Sequence, residues 1–95
     1  MLINTPYKAG DTVSMKLSSG EEIIARLVEE GADFYKVAKP LMVAVTQQGL
    51  GLAPFMFTVE PDAEMKLAVS NVLTISKTEK EMASQYVQNT TGLTV

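Results

Sequence analysis

Four residues near the middle of the chain combine aromatic rings with cations: Phe34, Tyr35, Lys36 and Lys39. Aromatic faces stack on bases and Lys neutralises phosphate, so this is a pattern that single-stranded nucleic acid could use. The same residues have plainer uses. Phe34 and Tyr35 suit a core, and Lys36 and Lys39 suit a solvated surface. The carboxylates offer less. Glu21-Glu22 and Glu29-Glu30 are adjacent pairs. Neighbours on a strand point to opposite faces, so they make poor acid–base dyads and read as solubilising turn charges. Glu60, Asp62 and Glu64 alternate around Pro61 and could meet a hard cation, yet the Gly-centred loop of a calcium site is missing. Gly49-Leu50-Gly51 lacks the Lys and following helix of a phosphate loop and reads as a turn. The chain has no His and no Cys. That excludes disulfides, His- or Cys-based metal sites, and Ser–His or Cys–His dyads. Carboxylates, Lys and Tyr alone remain for catalysis, so the expectation is a non-enzyme with no metal and no cofactor.

Positioning these groups falls to one small domain. The 95 residues leave no room for two ordinary ones, and 46% hydrophobic against 20% charged residues is a globular balance. Eight Lys and Arg oppose eleven Asp and Glu, a net charge of −3. Any nucleic-acid site must therefore be a local basic patch. Met1 to Pro6 lacks the basic and long apolar regions of a signal peptide. Leu41 to Val59 carries no charge, but Gln47-Gln48, Gly49, Gly51 and Pro54 interrupt it. Two strands and a polar turn fit better than a membrane span. The expectation is a soluble, cytoplasmic protein with no membrane partner.

Alternation sets the elements. Val13, Met15 and Leu17 alternate with polar residues, as in a half-buried strand. Ser18 to Glu21 is a turn, and Ile23 to Val28 a second strand. Phe34 to Ala38 starts a third strand, which Pro40 interrupts and Leu41 to Val45 continues. Pro there demands an edge or a bulge. The Leu41–Val45 run is apolar on both faces and wants cover on both sides. Gln47 to Pro54 reads as a loop and Phe55 to Val59 as a fourth strand. Met65, Leu67 and Val69 alternate again. Ser70-Asn71 is a tight turn before Val72 to Ile75. Ser76-Lys77-Thr78-Glu79 has the form of a capping box, opening a helix over Lys77 to about Gln88 that Asn89 to Gly92 stops. Met82, Ala83, Tyr86 and Val87 share one helix face. The fold class is mostly β: a small, strongly bent, five-stranded antiparallel barrel over about 10–77 with one C-terminal α-helix over about 77–88, followed by a frayed tail over 89–95.

This order resembles the Sm/LSm-like (Hfq-like) small β-barrels. Gly10 to Leu17 with Ser19-Gly20 looks like the first strand and turn of that family, Ile24 to Leu27 like its second strand, and Ser70 to Ile75 like its closing turn and fifth strand. Tyr35 to Pro40 also looks like small Sm-like proteins of tailed phages, including phages of cyanobacteria. The chain departs from the family pattern at several positions. Ala25 stands where a bending Gly is common. The Asn of the uridine pocket falls on Val37 or Lys39, and Ala68-Val69 replace the Arg-Gly pair.

The resemblance implies a homo-oligomeric ring of about five to seven subunits, joined through open strand edges. The implied subunit interface is Phe55, Phe57, Val59, Met65, Leu67, Val69, Val72, Leu73 and Ile75. It further implies that Asp33 to Lys39 and Ser70-Asn71 line a central pore, making Asp33, Phe34, Tyr35, Lys36, Lys39, Ser70 and Asn71 the nucleic-acid residues. RNA or single-stranded DNA would then bind with low sequence specificity, in the cytoplasm of a bacterial host if the chain is of phage origin. Assembly with protein alone, on the same barrel, is the other reading. The acidic balance and the absent Arg-Gly pair favour it.

Overall fold

The computed structural model describes residues 6–91. Six antiparallel strands and one helix follow in order: β1 Thr12–Leu17, β2 Glu22–Glu30, β3 Phe34–Thr46, β4 Gly49–Pro54, β5 Glu64–Ala68, β6 Val72–Lys77 and α1 Lys80–Thr91. The sheet runs β4-β3-β2-β1-β6, and β5 also pairs with β3. β5 takes residues 34–38 of β3 and β4 takes residues 41–46, so the two shorter strands meet different stretches of one long strand.

Connectivity forces the sheet to curl. Laid flat, β5 and β6 would be four strand spacings apart, about 19 Å. Yet a single 3-10 turn, Val69–Asn71, joins them. At about 2 Å of rise per residue, three residues cannot cross that gap. The two rims must approach each other, and the result is barrel-like.

One face of the curled sheet is the interior. Val13, Met15 and Leu17 of β1, Ile23, Ala25 and Leu27 of β2, and Tyr35 and Val37 of β3 are buried there. The period-2 spacing puts each set on one side. Tyr7, Phe55, Met65, Leu67, Val69, Val72 and Ile75 pack against them. Burying each large aliphatic contributes about 1.5–3 kcal/mol. On the opposite face, Ile24 and Ala38 are also buried. The helix docks near them through Tyr86, its one buried residue. Among the described residues no helix is long and apolar enough to cross a membrane.

Several expectations need correction. The stretch 47–54 is not a loop: only Gln47 and Gln48 turn, and Gly49–Pro54 is β4, paired along its length with β3. Phe55 to Val59 is not a strand but an irregular excursion between β4 and β5. The sheet has six strands because β4 and β5 divide one side of β3 between them, and the expected mostly β, antiparallel sheet with one C-terminal helix is what the chain forms. Ser76 opens no capping box, because β6 extends through Lys77 to pair with β1, with Ser76 opposite Ser14. The cap is instead Glu79, whose carboxylate accepts from the amides of Glu81 at 2.8 Å and Met82 at 3.1 Å. The helix starts at Lys80, and Asn89 to Thr91 continue it rather than stop it. Asn89 and Thr91 side chains bond to carbonyls one turn back, which lets both polar residues stay helical. Of the tail expected over 89–95, residues 92–95 lie outside the described residues.

Candidate functional site

The segment expected to line a pore is mostly strand. Only 31–33 turns, and Phe34 onward is β3. Alternation therefore splits the proposed contacts between two faces. Tyr35 points inward with Val37 and is buried in the core, so it offers no stacking face. The Tyr7 hydroxyl is pushed up to about 12, first by burial and then by its hydrogen bond with Tyr35, with Glu30 adding to the shift.

Phe34 lies on the outer side. Its ring sits over Gly31, where any Cβ would collide with the ring edge. The Lys66 ammonium stands 4.7 Å from the ring centroid, a cation–π contact. Lys36 pairs with Glu64 at 3.6 Å, both partly exposed. Such surface pairs contribute little and exchange readily. The carbonyl of Asp33 accepts from the amide of Val69 at 3.1 Å, which brings the 31–33 turn against the 3-10 turn holding Ser70 and Asn71. Asp33, Ser70 and Asn71 are exposed. The carbonyl of Asn71 accepts from the Ser18 amide at 2.8 Å. Asp33, Phe34, Lys36, Ser70 and Asn71 thus share one end of the molecule, joined by Lys66, which sequence reasoning missed. Its place depends on the register that sets Lys66 opposite Lys36 and Ala68 opposite Phe34. No local pattern encodes that register.

Lys39 belongs elsewhere. It sits five residues along β3 from Phe34, roughly 17 Å at strand rise. Pairing shifts there from Ile24↔Leu41 to Arg26↔Ala38, leaving Lys39 and Pro40 opposite Ala25 in a bulge. Pro40 needs such a break because it cannot donate to a ladder. Lys39 has φ +52, the one non-Gly residue with positive φ among those described. Its ammonium donates to the Thr90 carbonyl in the last turn of α1 at 3.4 Å. A cation is favoured at that helix end. Lys39 is thus a fastener between sheet and helix.

The Tyr86 hydroxyl completes this junction. It accepts from the Arg26 amide at 3.1 Å and faces the carbonyls of Ala38 at 3.1 Å and Lys39 at 2.8 Å as their donor. Those are backbone groups beside the broken pairing. Burial raises the Tyr86 hydroxyl to about 12, against the opposing bond from Arg26. Beside the bulge lies a mainly apolar groove of about 300 Å³, whose lining includes Pro40, Leu41, Met56, Phe57, Pro61 and Thr90.

The expected interface residues also divide. Phe55, Met65, Leu67, Val69, Val72 and Ile75 pack on the interior of their own chain. Phe57, Val59 and Leu73 remain exposed, Phe57 at 81% and Leu73 at 67%. Glu60, Asp62 and Glu64 do not converge, and among the described residues no three acidic side chains are placed to hold a metal ion. Glu21 accepts from Ser19, which holds its carboxyl below the usual range. Neither a scan against protein-family models nor a search of curated proteins finds a match to this chain.

Proposed function

We propose that the chain is a non-enzymatic, barrel-like assembly module that works by binding protein, in the first place further copies of itself. The observation behind this reading is a contrast. Tyr35 is spent on the core and Lys39 on the helix junction, while Val45 and Leu73 on strands and Phe57 in the excursion after β4 stand in solvent, on a chain whose sheet has open edges. Val45 has exposed Leu50 opposite it across the β3–β4 hairpin, and exposed apolar side chains that adjoin mark association surfaces. Among the described residues β4 and β5 pair only with β3, and β6 only with β1, so each has a free edge. Free edges recruit strands from other chains. Light scattering across a concentration series tests the reading. The expected result is a mass above the 10.3 kDa of one chain, with protein-like absorbance at 260 and 280 nm. A mass of one chain at every concentration overturns it.

One observation favours a second reading, an Sm-like protein that binds single-stranded RNA or DNA. Phe34 and Lys66 form an aromatic–cation pair beside exposed Ser70 and Asn71. Repetition around a ring would multiply that modest charge. Short oligonucleotides at two salt concentrations test this. Binding that weakens with salt and with Lys66→Ala, but not with Lys39→Ala, supports it. No binding at low salt removes it.

A further inference from the structure

The three free edges are not equivalent. β5 reads Glu-Met-Lys-Leu-Ala and β6 ends in Ser76-Lys77, so both carry the charges that discourage strand addition. β4 reads Gly-Leu-Gly-Leu-Ala-Pro and has no charge. The uncharged run extends on both sides, from Pro40 to Val59. Its one protective residue is Pro54, at the end nearest the barrel.

The β3–β4 hairpin also stands clear of the sheet. β2 accompanies β3 only as far as Met42, opposite Ile23. Beyond it, Val43 to Thr46 pairs with Gly49 to Leu52 and with no other strand among the described residues. Val45 is 84% exposed and Leu50 51%. A two-stranded ribbon is at best marginal in water, and a third strand is what stabilises it. Glycines inside a strand mark places where another backbone can come close. Gly49 and Gly51 place no side chain over the edge.

We infer that the β4 edge receives β4 of a second copy, antiparallel about a two-fold axis, giving a continuous β3-β4-β4-β3 sheet. A second copy fits because an uncharged strand meets itself without like-charge repulsion, in a protein whose net charge is −3. Two-fold symmetry makes the contact self-complementary. With the axis at Gly51, Leu50 of each copy lies opposite Leu52 of the other, and such apolar cross-strand pairs stabilise a sheet. This rests on the assembly reading and specifies its surface.

The test uses the absence of native Cys. A Cβ at Gly51 meets only Thr46 Cγ2 at 3.7 Å and the Ala44 carbonyl at 3.9 Å, so Gly51→Cys fits the fold. Opposed residues in an antiparallel pair lie about 4.5–5.5 Å apart, within disulfide range. Under mild oxidation Gly51→Cys is expected to cross-link into dimers at least fivefold more than Lys16→Cys, an exposed control on β1, which has a strand on either side. Leu50→Lys, at an exposed position, is expected to weaken self-association at least tenfold with an unchanged circular dichroism spectrum. If wild type associates while Gly51→Cys cross-links no more than the control and Leu50→Lys has no effect, the β4 contact is overturned and the assembly reading stands. If wild type stays at one chain and Gly51→Cys does not cross-link, both fall.

Discussion

Lys39 and Tyr86 hold each other across the junction of sheet and helix. The Tyr86 hydroxyl lies 2.8 Å from the Lys39 carbonyl, and the Lys39 ammonium reaches back to the same helix at Thr90, at 3.4 Å. A break in the β2–β3 pairing leaves backbone groups beside it, and one phenol serves an amide and two carbonyls. The sheet fault and the helix dock are a single feature.

Tyr86→Phe tests that statement directly. The ring still fills its place, but the hydroxyl's backbone partners lose it. Leaving a buried polar group unpaired costs about 1–3 kcal/mol. The urea midpoint should fall by a matching amount, and an unchanged midpoint would show that the hydroxyl does not hold the junction.

Alkaline pH should act at the same place. The Tyr86 and Tyr7 hydroxyls are both raised from the ordinary 10 to about 12. A group raised on folding stabilises fully below its unfolded value and loses that contribution as pH climbs through its folded value. Stability from these tyrosines should be level up to about pH 10 and decline between about 10 and 12. Urea midpoints measured against pH check this, and Tyr86→Phe should make the decline shallower.

Lys39 occupies a backbone conformation that glycine adopts freely. A left-handed conformation costs an L-residue roughly 1–2 kcal/mol. Lys39→Gly removes the ammonium and the strain together, whereas Lys39→Ala removes only the ammonium. The Gly variant should therefore be more stable than the Ala variant by about 1 kcal/mol. Equal stabilities in urea would show that φ at residue 39 carries no strain.

Gly31 and Phe34 should behave as a coupled pair. Gly31→Ala puts a methyl group where the Phe34 ring lies. The ring must shift, at a cost of about 1–3 kcal/mol for overpacking. In a Phe34→Ala background the same substitution should cost little, because the obstacle is gone. A double-mutant cycle reads the difference, and additive effects would contradict the contact.

Much of the sheet is legible in the sequence, for a physical reason. Val13, Met15 and Leu17 alternate cleanly because one face of β1 is interior and the other is not. Pro40 announces a bulge because no ladder can use its nitrogen. β4 is illegible for the opposite reason. Glycines weaken intrinsic strand preference, and Gly49–Pro54 is extended because the hairpin register pairs it with β3. Phe55 to Val59 has strand-forming residues but gains no strand partner, so composition misleads there. The helix start is misread because Ser76 is taken by pairing with β1, a partner more than half the chain away. At the candidate site, period 2 alone could have sent Tyr35 inward with Val37. The meeting of Phe34 and Lys66 could not have been read, since it needs the β3–β5 register.

The pairing of the first strand with the last also sets a schedule for synthesis. Ser14 and Thr78, hydrogen-bonded at 2.9 Å, are separated by 64 positions. A ribosome adding roughly 5–20 residues per second needs several seconds to make that stretch. Until β6 is made, β1 lacks the neighbour it has on that side in the folded sheet. The nascent chain can form its early hairpins at once, but the wall closes only after the final strand leaves the exit tunnel.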